Sequence, residues 1–209
     1  MMAKTRKTTK AARKAKPAAR KPAARAAKKP AARAKAPRRA ATPSLPSPKQ
    51  MYLDALAREH QTTLKVMRAF PAHQGGFQPH ERSSSAKRLM WTFAIEQNVL
   101  LHALKGTLKM PPSALGPPEP DTVEEAIVLF EKAVQAVINE LKQAPDSIVF
   151  GTAPFFAGPG KIADYQILDL MWFMLMDQIH HRGQLSVYSR MAGGKVPSIY
   201  GPSADEPWH

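Results

Sequence analysis

The sequence contains no cysteine among its 209 residues. This absence excludes disulfide bonds, cysteine-ligated zinc sites and cysteine nucleophiles, and it fits a cytoplasmic protein. No apolar run approaches the roughly 20 residues that a membrane-spanning helix needs, and the N-terminus lacks the apolar segment of a secretory signal. A Gly-rich phosphate loop, a Walker motif and a Ser-His-Asp set are also missing, so we expect no function that depends on them.

Acidic residues are absent from the first 50 positions, which hold 17 of the 31 Lys and Arg residues. The remaining 159 residues carry 14 basic and 16 acidic side chains. The strongly basic character of the chain therefore belongs to its N-terminal segment alone. Such an asymmetry predicts that an appendage contacts nucleic acid or another acidic surface.

Residues 1–48 repeat Pro-Ala-Ala-Arg and Lys-Lys-Pro units and resemble the tails of linker histones and bacterial histone-like proteins. High net charge with few apolar side chains predicts a disordered tail. We expect it to contact the DNA or RNA backbone without sequence preference, because counterion release supplies the affinity and no aromatic ring is available for stacking. A merely solubilising extension is the alternative. The expected contact residues are Lys14, Lys16, Arg20, Lys21, Arg25, Lys28, Lys29, Arg33, Arg38 and Arg39.

Four segments after this tail show helical periodicity of apolar residues, and no segment shows the period-2 alternation of a strand. We therefore predict an all-α domain over residues 49–205, folded as a four-helix bundle without strands. The long connection between helices 3 and 4 permits a topology other than simple up-and-down. The predicted helices span about 49–69, 86–105, 121–142 and 164–192.

Polar residues interrupt three of the four apolar stripes. His60 lies on helix 1 and Glu96 on helix 2, while Asp177 and His181 share one face of helix 4 because they are four residues apart. If helices 1 and 2 are antiparallel neighbours, the connection between them places His60 level with Glu96. Burying an unpaired carboxylate costs several kcal/mol. The four residues therefore predict either a hydrogen-bonded network or a divalent ion, for which Zn, Ni, Fe or Mn suits N and O ligands.

The segment IHHRGQLSVYSRMAGGKVPSIYGPSADE resembles the C-terminal signature of the DinB (damage-inducible) superfamily. The segments LDALAREHQTTLKVMRAFP and SAKRLMWTFAIEQNVLL support the resemblance, which covers about residues 51–205. It implies a four-helix bundle with a long crossover. It also implies a divalent metal held by three histidines, one on helix 2 and two on helix 4. Relatives of this family include transferases and isomerases in which the metal activates a low-molecular-weight thiol.

The family's three ligand positions are only partly matched by this chain. His181 corresponds to the second histidine of helix 4, whereas Asp177 occupies the position of the first. Thr92 occupies the helix-2 position and is a poor ligand, so Glu96 or His60 would have to compensate. Two further expectations concern the same signature. Arg182 should pair with a carboxylate, such as that of Glu96 or Asp177, rather than with a substrate. The glycine that follows it should permit close helix packing.

Two functions of different classes remain open. The first is a metal-dependent enzyme, a transferase or hydrolase in which the cation acts as a Lewis acid. The second is a non-catalytic, metal-free bundle that the basic tail tethers to DNA. The expected partners are DNA or RNA through residues 1–48 and a second copy of the chain, with no membrane. The expected location is the cytoplasm, with association with the nucleoid.

Deleting residues 1–45 should abolish retention of the protein on double-stranded DNA at low salt, because the remaining domain is slightly acidic. Retention of the full chain should fall steeply as salt rises. A DNA-affinity column run with both proteins measures this, and circular dichroism checks that the truncated protein is folded. Equal retention of the two proteins would contradict the role of the tail.

Overall fold

The computed structural model describes residues 45–110 and 116–208. The predicted tail residues 1–44, which include all ten expected nucleic-acid contacts, lie outside this part. The described chain folds into four α-helices, and this confirms the predicted four-helix architecture. None of the described helices is long and apolar enough to cross a membrane. The helices are α1 (Pro48–Ala69), α2 (Ala86–Leu104), α3 (Val123–Gln143) and α4 (Ile167–Met191).

Local hydrogen bonds explain where three of these helices begin. The side chains of Ser47 and Ser85 accept hydrogen bonds from backbone N–H groups in the first turns of α1 and α2. At the start of α3, Thr122 and Glu125 form a reciprocal capping box. These contacts satisfy N–H groups that lack a partner inside the helix. The caps therefore fix the first residues of α1, α2 and α3.

A two-stranded antiparallel hairpin precedes α4, so the expectation of a domain without strands was wrong. It pairs β1 (Thr152–Gly158) with β2 (Lys161–Gln166), and the predicted start of α4 near residue 164 instead lies in β2. Most residues of both strands are at least partly exposed. A hairpin without a buried face imposes no alternation of polar and apolar residues. Its sequence therefore carries no strand pattern.

The helices pack so that α3 and α4 each contact both α1 and α2. Helices α1 and α2 therefore lie diagonally across the bundle rather than side by side. The two helices are antiparallel, as the placement of His60 level with Glu96 assumed. They are not adjacent, however, so His60 does not lie beside Glu96. A long connection lets the chain cross the bundle, so two helices that follow each other in sequence need not be neighbours in space.

Contacts along the helices also give their directions. Helix α1 runs parallel to α4, since Tyr52 packs on Trp172 and Glu59 pairs with Arg182 further along both helices. Helix α2 runs parallel to α3 and antiparallel to α4. Two successive parallel helices need a crossover, and it lies between α2 and α3. The sequence had placed the unusual connection between helices 3 and 4 instead.

Arg182 is the largest polar side chain in the core, with only 1% of its surface exposed. Its guanidinium group donates hydrogen bonds to the Glu59 carboxylate at 2.7 Å, to the Thr63 hydroxyl at 3.2 Å and to the Tyr200 hydroxyl. Arg182 thus pairs with a carboxylate, as expected, but the carboxylate is that of Glu59 on α1 and not one of those beside His181. Each residue of a helix is turned by about 100° from the one before, so Arg182 faces α1 while His181 faces α2.

Gly183 does not serve close helix packing. The residue is exposed, and an added Cβ atom would meet nothing within 4 Å. Glycine inside a helix costs roughly 0.5–1 kcal/mol relative to alanine. No contact within the described residues explains this choice.

Replacing Arg182 with Met should lower the free energy of unfolding by about 3–5 kcal/mol, because the half-buried Glu59 carboxylate then loses its partner. The matched control is Arg190→Met, which breaks the more exposed ion pair with Asp205 and should cost less than about 1 kcal/mol. Urea unfolding of both variants measures the difference. Adding Glu59→Gln should recover part of the loss, and equal costs for the two arginine variants would contradict this role of the buried pair.

Candidate metal centre

Three of the four expected ligand residues converge between α2 and α4. Glu96 projects from α2, while Asp177 and His181 project from successive turns of α4. One ligand atom from each lies within 4.8 Å of the others. The Glu96 side chain is 8% exposed, compared with 35% for Asp177 and 21% for His181. The cluster is therefore closed on the side of Glu96 and accessible on the side of α4.

The separations within the cluster resemble those of a cation's ligands. His181 Nδ1 lies 3.2 Å from Glu96 Oε1 and 3.9 Å from Asp177 Oδ2. Ligand bonds of about 2.1 Å in tetrahedral geometry place neighbouring ligand atoms roughly 3.4 Å apart. Small side-chain rotations would thus bring all three groups around one ion.

Burial controls the protonation of Glu96. Burial is the main cause of a pKa raised to about 7 for this carboxyl; the hydrogen bond with His181 opposes the shift, and the nearby charge of Asp177 adds to it. Glu96 Oε2 is buried and has no hydrogen-bond partner within the described residues. The hydrogen bond with Glu96 is the main reason why the pKa of His181 is raised above its ordinary value.

The arrangement offers two stable states. With a proton shared between Glu96 and His181, the 3.2 Å contact is a hydrogen bond and the buried site carries less charge. With the proton removed, two carboxylates and a neutral imidazole face one another, and this is a donor set for a divalent cation. A proton and a divalent cation would therefore compete for these side chains.

His60 is not one of the residues that converge here. Its imidazole packs on Phe130 of α3, with ring centres 5.1 Å apart. Contacts between rings lead from His60 through Phe130 and Phe93 to His181. His60 Nδ1 is buried without a hydrogen-bond partner among the described residues, and burial lowers the pKa of this histidine. The expected partnership of His60 with Glu96 is replaced by that of His181.

Thr92 also lies outside the cluster. Its hydroxyl donates a hydrogen bond to the Arg88 carbonyl oxygen of its own helix, at 3.1 Å. A hydroxyl used in this way is not directed at α4 as a ligand. Glu96, one turn further along α2, supplies the carboxylate that reaches His181, as the apolar stripe of this helix had predicted.

Sequence reasoning missed a second polar group in the core. Gln178 accepts a hydrogen bond from Gln97 at 3.1 Å and donates one to Thr63 at 3.0 Å, so it joins α4 to both α2 and α1. A signal for this group exists in the sequence. Gln178 and Arg182 are four residues apart, one position after Asp177 and His181. Two adjacent i,i+4 polar pairs on one helix predict two buried faces directed at different neighbours.

The comparison with protein families agrees with this geometry. The family model described as "DinB family" matches residues 45–208. The chain belongs to the DinB family. The match covers all four helices and the cluster, and it leaves out the basic segment before residue 45.

Individual relatives share the fold at low sequence identity. A DinB-like protein from Bacillus cereus has a TM-score of 0.60 and 21% identity, over 71% of this chain and 95% of that one. The DinB-like protein YjoA from Bacillus subtilis has a TM-score of 0.53 and 18% identity, over 71% and 97%. The uncharacterised protein YrdA from Bacillus subtilis is 51% identical over 37 residues, which span 18% of this chain and 22% of that protein.

Without metal, the free energy of unfolding should fall as the pH rises from about 5 to about 8. Between 4.5 and 7 the folded state keeps a proton on Glu96 that the unfolded state has lost, so raising the pH favours unfolding. The raised pKa of His181 acts with the same sign. The raised pKa of Glu96 corresponds to a loss of about 3 kcal/mol at most in the free energy of unfolding.

Urea unfolding in the presence of a chelator, at several pH values, measures this loss. The Glu96→Gln variant has no titrating carboxyl at this position and should show a flatter profile over the same range. The carboxylates whose pKa is lowered, such as Glu206 at about 2, affect stability at more acidic pH. An unchanged profile in the variant would contradict the assignment to Glu96.

Proposed function

We propose that this DinB domain binds a divalent cation through Glu96, Asp177 and His181. The observation that carries the proposal is a buried Glu96 oxygen that has no hydrogen-bond partner in the described part of the chain and lies beside two further ligand atoms. A buried carboxylate oxygen is costly unless it is protonated or binds a cation. One imidazole and two carboxylates suit Zn, Mn, Fe or Ni rather than a soft metal.

The bound cation would supply Lewis-acid activation of a water molecule or of a thiol, as the family's relation to metal-dependent thiol transferases suggests. This chain's residues would hold the ion from one side. Glu96 anchors it in the core, and the half-exposed Asp177 and His181 leave the solvent side of the cluster accessible. Such an open side is what distinguishes a catalytic site from a closed structural site. The proposed reaction class is therefore a metal-dependent transferase or hydrolase.

A metal-free domain is the second candidate, and one specific observation favours it. The Glu96–His181 contact is already within hydrogen-bond distance at 3.2 Å, so a shared proton satisfies part of the cluster without a cation. Only one of the family's three histidine positions holds histidine in this chain. In this second function the domain would be a non-catalytic bundle, and the basic tail would tether it to DNA.

Titration with Zn²⁺, Mn²⁺, Ni²⁺ and Fe²⁺ tests whether the domain binds a metal. The protein is purified without a metal-binding tag and is first stripped of metal with a chelator. At least one ion should raise the melting temperature, and the increase should grow from pH 6 to pH 8 because binding displaces protons. At 100 times the dissociation constant the stabilisation is about 2.7 kcal/mol. Elemental analysis of protein that was never treated with chelator gives the identity and stoichiometry.

The variants His181→Ala and Glu96→Gln should lose this metal-dependent increase. His180→Ala is the matched control, because His180 is the adjacent imidazole, is exposed and lies outside the cluster. It should keep the increase. If no ion stabilises the wild-type protein, or if His181→Ala lowers the melting temperature equally with and without metal, the metal-free function is correct instead.

A further inference from the structure

A cleft of about 300 Å³ lies between the hairpin and the first turns of α4. This volume is at the lower end of the roughly 300–1,000 Å³ that small-molecule sites occupy. Four of the residues that line the cleft are aromatic, and one is acidic. They are Phe155, Phe156, Tyr165, Asp169, Leu170 and Phe173.

The aromatic rings of the cleft are held at steep angles to one another. Phe155 meets Phe156 at 5.4 Å and 66°, and Phe173 at 5.9 Å and 62°. Rings in such edge contacts point their faces in different directions, so together they form the walls of a concave site. Phe156 and Phe173 nevertheless remain 47% and 52% exposed. Their apolar surface is therefore available to a ligand.

Asp169 places a negative charge in this aromatic cleft. It lies four residues before Phe173, so the two side chains share one face of α4. The side chain is exposed and forms no ion pair within the described part of the chain. A carboxylate beside several aromatic faces attracts a positive charge, and the rings themselves attract it through their quadrupoles.

We propose that this cleft binds a small organic cation, of the class of quaternary or alkylated ammonium ions. The alkyl or aryl groups of such a cation displace water from the rings, and its charge is balanced by Asp169. An inorganic cation would not use the rings, and an anion of the same shape would be repelled. The cleft is one helical turn from Asp177 of the metal cluster, but its binding of a cation does not require a metal.

The test compares two ligands of similar shape and opposite charge, benzyltrimethylammonium and phenylmethanesulfonate. Each is titrated into the full-length protein in the presence of a chelator and followed by NMR chemical-shift changes. The cation should bind at least tenfold more tightly than the anion. The largest shifts should come from residues of the hairpin and of the first two turns of α4.

Three variants distinguish binding in the cleft from binding elsewhere on the protein. Asp169→Asn should weaken cation binding at least threefold and reduce the preference over the anion, and Phe173→Ala should weaken cation binding more strongly. Phe150→Ala is the control, since Phe150 is 60% exposed but does not line the cleft, and it should bind as the wild type does.

Equal affinity for the two ligands, or shifts located elsewhere, would overturn the proposal. Sedimentation of the same samples tests for a second copy of the chain on this surface. A dimer that excludes the cation and releases the cleft only on dilution would also overturn it.

Discussion

Burial of polar side chains on helix α4 is the constraint on which the rest of the domain depends. Asp177 and His181 face α2, while Gln178 and Arg182, one position later, face the bundle centre and α1. Each buried polar group needs a partner on the helix that it faces, and Glu96, Gln97, Thr63 and Glu59 provide these partners. A helix with these requirements fits only one rotation and one set of neighbours. The polar core thus selects the arrangement that the apolar stripes alone would leave open.

The helices of the fold could be predicted from sequence, whereas the neighbours of each helix could not. Periodicity and caps depend on residues within one turn, and they located α1, α2 and α3 to within about two residues. Asp177 and His181 were likewise predictable as a pair, because their spacing is local. His60 was misplaced because periodicity shows that it faces inward but not which helix it meets. The partner of Arg182 was missed for the same reason. The hairpin was missed for a different one, since its mostly exposed strands carry no alternation of polar and apolar residues.

Glu96 links the stability of the domain to its chemistry. Its ionisation is unfavourable in the folded state because burial removes water from the carboxylate. The same unfavourable charge is the driving force for taking up a proton or a cation, so a variant that relieves the cost also removes the proposed site. The buried contacts of Gln178 and Arg182 stabilise α4 whether or not Glu96 is protonated. The domain can therefore keep a strained cluster at its edge without losing its fold.

The basic N-terminal segment and the folded domain carry opposite net charge. The family match begins at residue 45, so the tail is an addition to the DinB domain rather than part of it. Counterion release acts through the number of charges and needs no fixed structure, whereas the cluster and the cleft depend on side-chain positions set by the bundle. Changes in the tail should then alter where the domain resides and leave its ligand chemistry intact. An organic cation in the acidic, aromatic cleft would not compete with an acidic partner of the tail, if the tail has one, because acidic and basic groups attract ligands of opposite charge.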